Sequence, residues 1–256
     1  MTDRTQAFDR LTENYRRFRP GYPADITERL REHVLPNGGE PRLLLDIGSG
    51  TGISTRTLRH LFGPEPRVVG VEPGHAMRDT AITEADGIEY VEGRAEDLPF
   101  PDGSASLVLA AQAVHWFDRP AFYTETSRVL APGGTVAVLN NDRDWESSDF
   151  VDAYEGLLER YGDDYRRDYR VFDTVGEMNA TEGLADAVEH SSAWTRELSL
   201  EELVGSALSS SKVAEVVRTL GEDGTREAIA SLAHEYFPDG RIRFPYVTRL
   251  CLARRT

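Results

Sequence analysis

The amino-acid sequence predicts an α/β protein with a doubly wound, mostly parallel sheet. From residue 43 to residue 140, short apolar runs that suit strands buried on both faces alternate with segments of helical spacing. A glycine-rich turn, Gly48–Gly52, follows the first apolar run and precedes the first helix of this series. The 256 residues suffice for one large domain, so we expect a single domain over 1–256.

Helical segments come first along the chain. The apolar residues of 3–18 recur every three or four positions and predict an amphipathic helix before the turn at Arg19–Pro23. A second helix is predicted over 24–34. We interpret 1–35 as a helical cover for the sheet.

Strand and helix alternate over 36–141, which is the predicted cofactor-binding core. Each predicted strand is short and rich in Val, Leu, Ile or Ala, and turn residues bound it. The predicted strands are 43–47, 67–72, 88–92, 105–111 and 134–140, and the predicted helices are 53–62, 75–84 and 120–130.

The alternation stops after residue 141. The segment 142–186 is acidic and rich in Tyr and Arg, and we interpret it as a helical lid insertion. The remainder, 187–256, is expected to complete the sheet, with the closing strand as an added sheet edge. Its predicted strands are 188–198 and 242–252, and its predicted helices are 200–209, 211–220 and 225–236.

The composition narrows the classes of partner and compartment. With 44 acidic against 29 basic residues the net charge is −15, which argues against a nucleic-acid surface. The single Cys251 cannot form an internal disulfide, and His and Cys show no metal-binding pattern. No stretch is long and apolar enough to span a membrane, and the N-terminus lacks the apolar run of a signal peptide. We therefore expect a cytoplasmic protein without a bound metal.

A glycine loop and a following acid form the most informative pattern. Gly48, Gly50 and Gly52 alternate directly after the first strand, and glycine lets a backbone approach a ligand closely. Glu72 stands at the end of the next strand, twenty residues after Gly52. A carboxylate there can accept hydrogen bonds from both hydroxyls of a ribose. Loop and acid together predict a nucleoside-containing cofactor.

The spacing of the loop separates two classes of cofactor. A dinucleotide site favours G-x-G-x-x-G, but Ile53 occupies the position of its third glycine. Asp46, two residues before the first glycine, would repel a pyrophosphate and suit a ligand with an ammonium group. A nucleoside that carries an amino acid therefore fits better than a dinucleotide.

These residues resemble the class I S-adenosylmethionine-dependent methyltransferases, in particular the small-molecule group that includes trans-aconitate methyltransferases. The resemblance covers roughly 8–140 and rests on six strings in order. It implies a Rossmann-like, seven-stranded sheet with an antiparallel last strand, S-adenosylmethionine as cofactor and S-adenosylhomocysteine as product. The strings are FDRLTENYRRFRPGYP, LLLDIGSGTG, VVGVEPGHAM, YVEGRAEDLPFPDGS, LVLAAQAVHWFD and RVLAPGGTVAV.

For the methionine part of the cofactor, the resemblance implies contacts with the glycine loop. The backbone of Gly48, Ser49 and Gly50 would wrap it, and Gly52 would close the loop. Asp46 would lie near the ammonium group.

For the adenosine part, the resemblance implies contacts from the next two strands. Glu72 would hold the ribose hydroxyls. Pro73 and Met77 would lie against the adenine face, where a thioether is favourable. Ala95 would meet the adenine edge through its backbone N–H, with Glu96 nearby.

Three further residues are implied around the sulfonium and the carboxylate of the cofactor. Gln112, just past the fourth strand, would lie near the sulfonium. Tyr15 and Arg19 would cover the methionine, with the arginine at its carboxylate.

The chemistry would be an in-line methyl transfer to a small organic acceptor. Such a transfer depends mainly on alignment and on exclusion of water. His115 is the candidate base, needed only when the acceptor has a proton to lose, although it could equally pack beneath the cofactor. Trp116 could line the acceptor pocket or belong to the core. Arg166, Arg167 and Arg170 could bind an anionic acceptor from the lid, with Arg170 as the candidate substrate-binding residue. Such a run more often forms a solvated helix face that pairs with Asp163, Asp164 and Asp168.

Two alternatives remain open at this point. The pocket could use the cofactor without methyl transfer, or the protein could be a nicotinamide dehydrogenase. Among methyltransferases, AAQAVHWFD lacks the Asn/Asp-Pro-Pro-aromatic tetrapeptide of enzymes that modify DNA bases. The accepting atom stays open, with a carboxylate oxygen as the first guess by analogy with the aconitate enzymes.

Overall fold

The computed structural model of the protein describes residues 20–35, 41–84, 87–163 and 165–256. The predicted helix over 3–18, with Tyr15 and Arg19, lies outside these residues. The strands are β1 (Leu43–Ile47), β2 (Arg67–Val71), β3 (Glu89–Val91), β4 (Ala105–Ala111), β5 (Leu130–Arg143), β6 (Leu184–Leu198) and β7 (Ile242–Arg255). The α-helices are α1 (Ala24–Val34), α2 (Ile53–Phe62), α3 (His75–Thr83), α4 (Arg119–Val129), α5 (Asp149–Tyr161), α6 (Thr174–Ala180), α7 (Leu200–Leu208) and α8 (Ser211–Tyr236).

The seven strands form one sheet in the order β3-β2-β1-β4-β5-β7-β6. Strands β1 to β5 pair in parallel, and the last strands are antiparallel, which confirms the predicted fold class. Strand β1 is central, since it pairs with both β2 and β4. All five of its residues are buried, as expected for a strand covered on both faces. The order of strands reverses at β1 and β4, where sheets of this kind bind ligands.

The position of the closing strand corrects one prediction. It was expected at the edge of the sheet, but β7 lies between β5 and β6, and β6 forms the edge. The burial of the two strands explains the arrangement. Leu250, Cys251, Leu252 and Ala253 are consecutively buried, as in an interior strand, whereas β6 is largely half-buried or exposed.

Two compact units divide the chain. The core unit comprises Tyr22–Asn141, Phe172–Ser192 and Thr248–Thr256. Apolar side chains from opposite faces of its strands build two buried clusters. One contains Leu45, Val69 and Val108, and the other contains Leu44, Val68 and Leu107. This unit carries every cofactor residue that the sequence predicts among the described residues.

The second unit comprises, of the described residues, 20–21, Asp142–Val171 and Ala193–Val247. Its own apolar cluster is rich in aromatic rings, among them Phe150, Tyr154 and Phe244. The predicted break between two helices at 220–225 is seen within α8 at Gly221, whose φ is +74°. No helix among the described residues has both the length and the apolar character that a membrane crossing needs.

Candidate functional site

The glycine loop turns sharply between β1 and α2. Gly48, Gly50 and Gly52 have φ values of +69°, +55° and +83°, which side chains other than glycine rarely adopt. The backbone N–H groups of Gly48 and Ser49 both donate to the carbonyl oxygen of Val71, at 2.8 and 3.1 Å. The loop is thereby fastened to the end of β2. The positive φ values therefore explain why glycine occupies these three alternate positions.

Glu72 reaches back to the loop from the end of β2. Its Oε2 accepts a hydrogen bond from the N–H of Gly50 at 2.9 Å, and its Oε1 accepts one from the N–H of Gly74 at 2.7 Å. The Arg78 guanidinium donates to the Glu72 carbonyl oxygen at 2.7 Å. The half-buried carboxylate is therefore fixed at the loop, and each of its oxygens keeps a lone pair for a further donor.

Asp46 lies beneath the loop and is fully buried. Its Oδ2 accepts hydrogen bonds from the hydroxyls of Ser54 and Thr55, at 2.7 and 2.6 Å, in the first turn of α2. Burial raises the pKa of Asp46 to about 6, although the two hydroxyls oppose the shift. The sequence predicted an acid at this place but not the two hydroxyls that hold it.

The residues predicted for the adenine side differ in their exposure. Pro73 is exposed and Met77 is half-buried, so both have surface available to a ring. The side chain of Ala95 is buried in the core, which leaves only its backbone for a ligand. Glu96 is half-buried, and its Oε1 accepts a hydrogen bond from the N–H of Asp118 at 3.0 Å.

The segment after β4 packs against the loop. A Cβ on Gly48 would lie 2.7 Å from the Cβ of Ala113, so the two turns touch. Gln112 has a φ of +58°, a strained conformation of the kind that concentrates at functional sites. The His115 and Trp116 rings lie 5.1 Å apart, and 65% of Trp116 is exposed. Trp116 is therefore a surface residue rather than part of the core.

The three candidate arginines of the predicted lid belong to the second unit and differ from one another. Arg166 is exposed and paired with Asp168 at 3.1 Å. Arg167 pairs with Glu159 at 2.7 Å. Arg170 is mostly buried, its guanidinium lies 5.0 Å from the centre of the Tyr169 ring, and it approaches Asp142 at 3.8 Å. Arg166 thus pairs with Asp168 as a solvated face would, whereas the half-buried Arg167 pairs with Glu159 and Asp152.

Sequence reasoning missed one side chain, that of Tyr90, which contacts the loop at Gly52. Tyr90 pairs in register with Gly70 on the neighbouring strand, and its hydroxyl lies at Gly52. Gly70 was the available signal, because a glycine inside a strand often marks a close approach by another group.

Comparison with known proteins places this arrangement in a class. A family model described as methyltransferase domain matches residues 45–138, the stretch that contains the loop, Glu72 and the segment after β4. An uncharacterized methyltransferase of Mycobacterium tuberculosis is 30% identical over 250 residues, which cover 96% of this chain and 94% of that protein. The chain belongs to the class I S-adenosylmethionine-dependent methyltransferases. Its cofactor is S-adenosylmethionine, which decides against the nicotinamide alternative. The chain is an enzyme of this class, which decides against non-catalytic use of the cofactor.

Further matches agree with this membership. A solved structure from Anaeromyxobacter dehalogenans, provisionally named a type II methyltransferase, has a TM-score of 0.65 and 25% identity, covering 93% of this chain and 97% of that one. Other alignments are partial. The chain spans 59% of a Dictyostelium discoideum relative at 31% identity over 60% of its own length. It spans 37% of the malonyl-[acyl-carrier protein] O-methyltransferase of Hahella chejuensis at 36% identity over 40% of its own length.

The loop fits this cofactor. A Cβ on Gly50 would meet no atom of the described residues within 4 Å, so these residues leave one side of the loop to a ligand, and Glu72 offers acceptors beside it. Among the described residues, three buried polar atoms of the loop region have no hydrogen-bond partner. They are Asp46 Oδ1, Ser49 Oγ and Thr51 Oγ1. Polar atoms in that state favour a ligand or water with donors at this place.

Proposed function

We propose that this methyltransferase transfers a methyl group to an oxygen atom of a small organic acid, with a carboxylate as acceptor. The position of the Glu72 carboxylate at the glycine loop is the main support for the proposed mode of cofactor binding. The acceptor half is supported by the partial likeness to an O-methyltransferase whose printed name gives malonyl-[acyl-carrier protein] as substrate. The cofactor supplies an electrophilic methyl group on a sulfonium.

The residues of the core unit have separate binding roles in this proposal. Glu72 holds the two ribose hydroxyls with the lone pairs that its bonds to Gly50 and Gly74 leave free. The open backbone of Gly48, Ser49 and Gly50 holds the methionine part, with Asp46 near its ammonium group and Gly52 closing the loop. Pro73, Met77, Ala95 and Glu96 bind the adenine, Gln112 lies near the sulfonium, and Tyr15 and Arg19 cover the methionine.

The proton balance depends on the acceptor. A carboxylate carries no proton at neutral pH, so its transfer needs alignment and exclusion of water but no base. For a phenol or an amine, we propose His115 as the base. Trp116 would provide an apolar surface for the acceptor, and Arg170 would pair with an anionic group on it.

The role of Glu72 is tested by Glu72→Gln. Each carboxylate oxygen of Glu72 accepts a hydrogen bond from one backbone N–H. In the glutamine variant the amide nitrogen replaces one of these acceptors and faces a backbone N–H. We expect the Kd for S-adenosylhomocysteine, measured by calorimetry, to rise at least about tenfold, or 1.4 kcal/mol. Glu89→Gln is the control, since Glu89 is exposed on β3 and pairs with Arg67, and its Kd should stay within about twofold. An unchanged Kd in folded Glu72→Gln would contradict the role.

The acceptor class is tested with a panel of small carboxylic acids, phenols and amines. We expect S-adenosylhomocysteine to form with a carboxylic acid, together with a methyl ester identified by mass spectrometry. His115→Ala should keep most of this turnover, because a carboxylate needs no base. Arg170→Met should raise the KM for the acid, while Arg166→Met, at an exposed paired arginine, should not. Turnover with phenols or amines alone would refute the carboxylate proposal and leave the role of Glu72 untouched.

A further inference from the structure

Gly70 occupies a position in β2 where a side chain would be expected. Glycine weakens a strand interior, so its presence there needs a reason. Tyr90 of β3 stands opposite it in the register, and the tyrosine ring lies over the glycine. A Cβ on Gly70 would lie 2.5 and 2.6 Å from Cδ1 and Cε1 of Tyr90, closer than unbonded carbon atoms approach, and 2.8 Å from Ser49 Oγ. The missing Cβ therefore makes room for the ring.

The other end of the same side chain depends on a second glycine. Gly52 precedes α2 in the left-handed conformation, and a Cβ there would overlap the Tyr90 Oη and lie 2.9 Å from its Cζ. Gly52 and Gly70 belong to different segments, the loop and β2. One tyrosine thus fills the space that both glycines leave.

This contact supports the end of the loop next to α2. The loop is fastened at Gly48 and Ser49 to the carbonyl oxygen of Val71. Toward α2, Gly52 donates to the carbonyl oxygen of Ser49 at 2.9 Å, and Arg56 donates to that of Thr51 at 2.9 Å. Both bonds are local to the loop and α2. Asp46 of β1 holds Ser54 and Thr55 just beyond the loop, and Tyr90 contacts Gly52 itself from the neighbouring strand.

We propose that Tyr90 is a positioning residue for the cofactor loop, because its ring and hydroxyl connect Gly52 to Gly70 and hold the loop in the conformation that binds S-adenosylmethionine. A loop held in its bound conformation loses less entropy on binding, so affinity depends on this contact. The proposal goes beyond the proposed function, since it is independent of the acceptor.

The test is a double-mutant cycle read by calorimetry with S-adenosylhomocysteine. Tyr90→Val removes the ring, and we expect the Kd to rise about tenfold. Gly70→Ala displaces the ring, but its Cβ would also lie 2.8 Å from Ser49 Oγ, so the cycle is run in a Ser49→Ala background. There the new methyl group meets only the ring of these two groups, and Gly70→Ala should raise the Kd by a similar factor. The double variant Gly70→Ala/Tyr90→Val should bind within about threefold of Tyr90→Val alone, because the added methyl group then no longer meets the ring. Hydrogen exchange of the amides of 48–56 should be faster in both single variants.

A separate variant distinguishes positioning from stability. Val68→Ala opens a cavity at a buried residue of the same strand, and it should lower the Tm without changing the Kd by more than about twofold. If Tyr90→Val lowers the Tm but binds with the wild-type Kd, or if the two single effects multiply in the double variant, Tyr90 is not a positioning residue. Should Gly70→Ala fail to fold, Tyr90→Val and the exchange of 48–56 still decide the question.

Discussion

Asp46 shows how one buried side chain makes stability depend on pH. Its pKa is raised by burial from an ordinary value of 3.8 to about 6. Between these values the folded protein binds more protons at this site than the unfolded chain, so lowering the pH through 6 relieves the cost of burying the charge. Stability at this site therefore increases as the pH falls toward 4.

Asp46→Asn tests this dependence. The asparagine oxygen can still accept from Ser54 and Thr55, but it does not titrate. Between pH 8 and pH 5 we expect the unfolding free energy of the wild type to rise by about 1.4 kcal/mol relative to that of the variant, because pH 5 lies one unit below the folded-state pKa of Asp46. Urea unfolding at both pH values measures the difference. Parallel pH profiles of the two proteins would contradict the buried, shifted carboxylate.

At the level of single residues, the position of Glu72 beside the loop glycines could be predicted, because loop and acid follow two neighbouring parallel strands. Their roles toward the cofactor stay predictions. A strand of five residues brings Glu72 to the same edge as the loop, and the contact with Gly50 follows. The partners of Asp46 and the side chain of Tyr90 were missed. Tyr90 meets Gly52 only through the register of two strands, which spacing along the chain does not reveal.

At the level of elements, the strongest predictions were those of the parallel strands. Continuous apolar runs fix β1 and β4, and the structure confirms both as predicted, Leu43–Ile47 and Ala105–Ala111. The error concerned order rather than existence. Strand β7 was placed at the edge because it comes last, although the buried run Leu250–Ala253 already has the pattern of an interior strand. Burial on both faces is a better guide to position in a sheet than order along the chain.

The division of the whole molecule into two units gives each unit its own source of stability. The core unit relies on aliphatic strands, whereas the second unit combines aromatic packing with a buried polar cluster. In that cluster the Arg143 guanidinium pairs with Glu155, which is 1% exposed. Tyr165 donates to Glu155 at 2.7 Å and accepts from Arg143 at 2.8 Å. Glu155 and Tyr165 are buried and Arg143 is mostly buried, and the three satisfy one another, so the loss of one charge is costly.

Two glutamates of α5 allow a buried ion pair to be compared with a more exposed one. Glu155→Gln leaves the mostly buried Arg143 without its counter-charge, and we expect a loss of about 3 kcal/mol of unfolding free energy, the lower end for a buried pair. Glu159→Gln removes a partner of Arg167 where 32% of the glutamate is exposed, and we expect less than about 1 kcal/mol. Urea unfolding gives both values. Hydrogen exchange should accelerate in 149–161 of the Glu155 variant while β1 and β4 keep their protection, since those strands have a separate core. Equal losses in the two variants would mean that the Arg143 cluster does not stabilise the second unit.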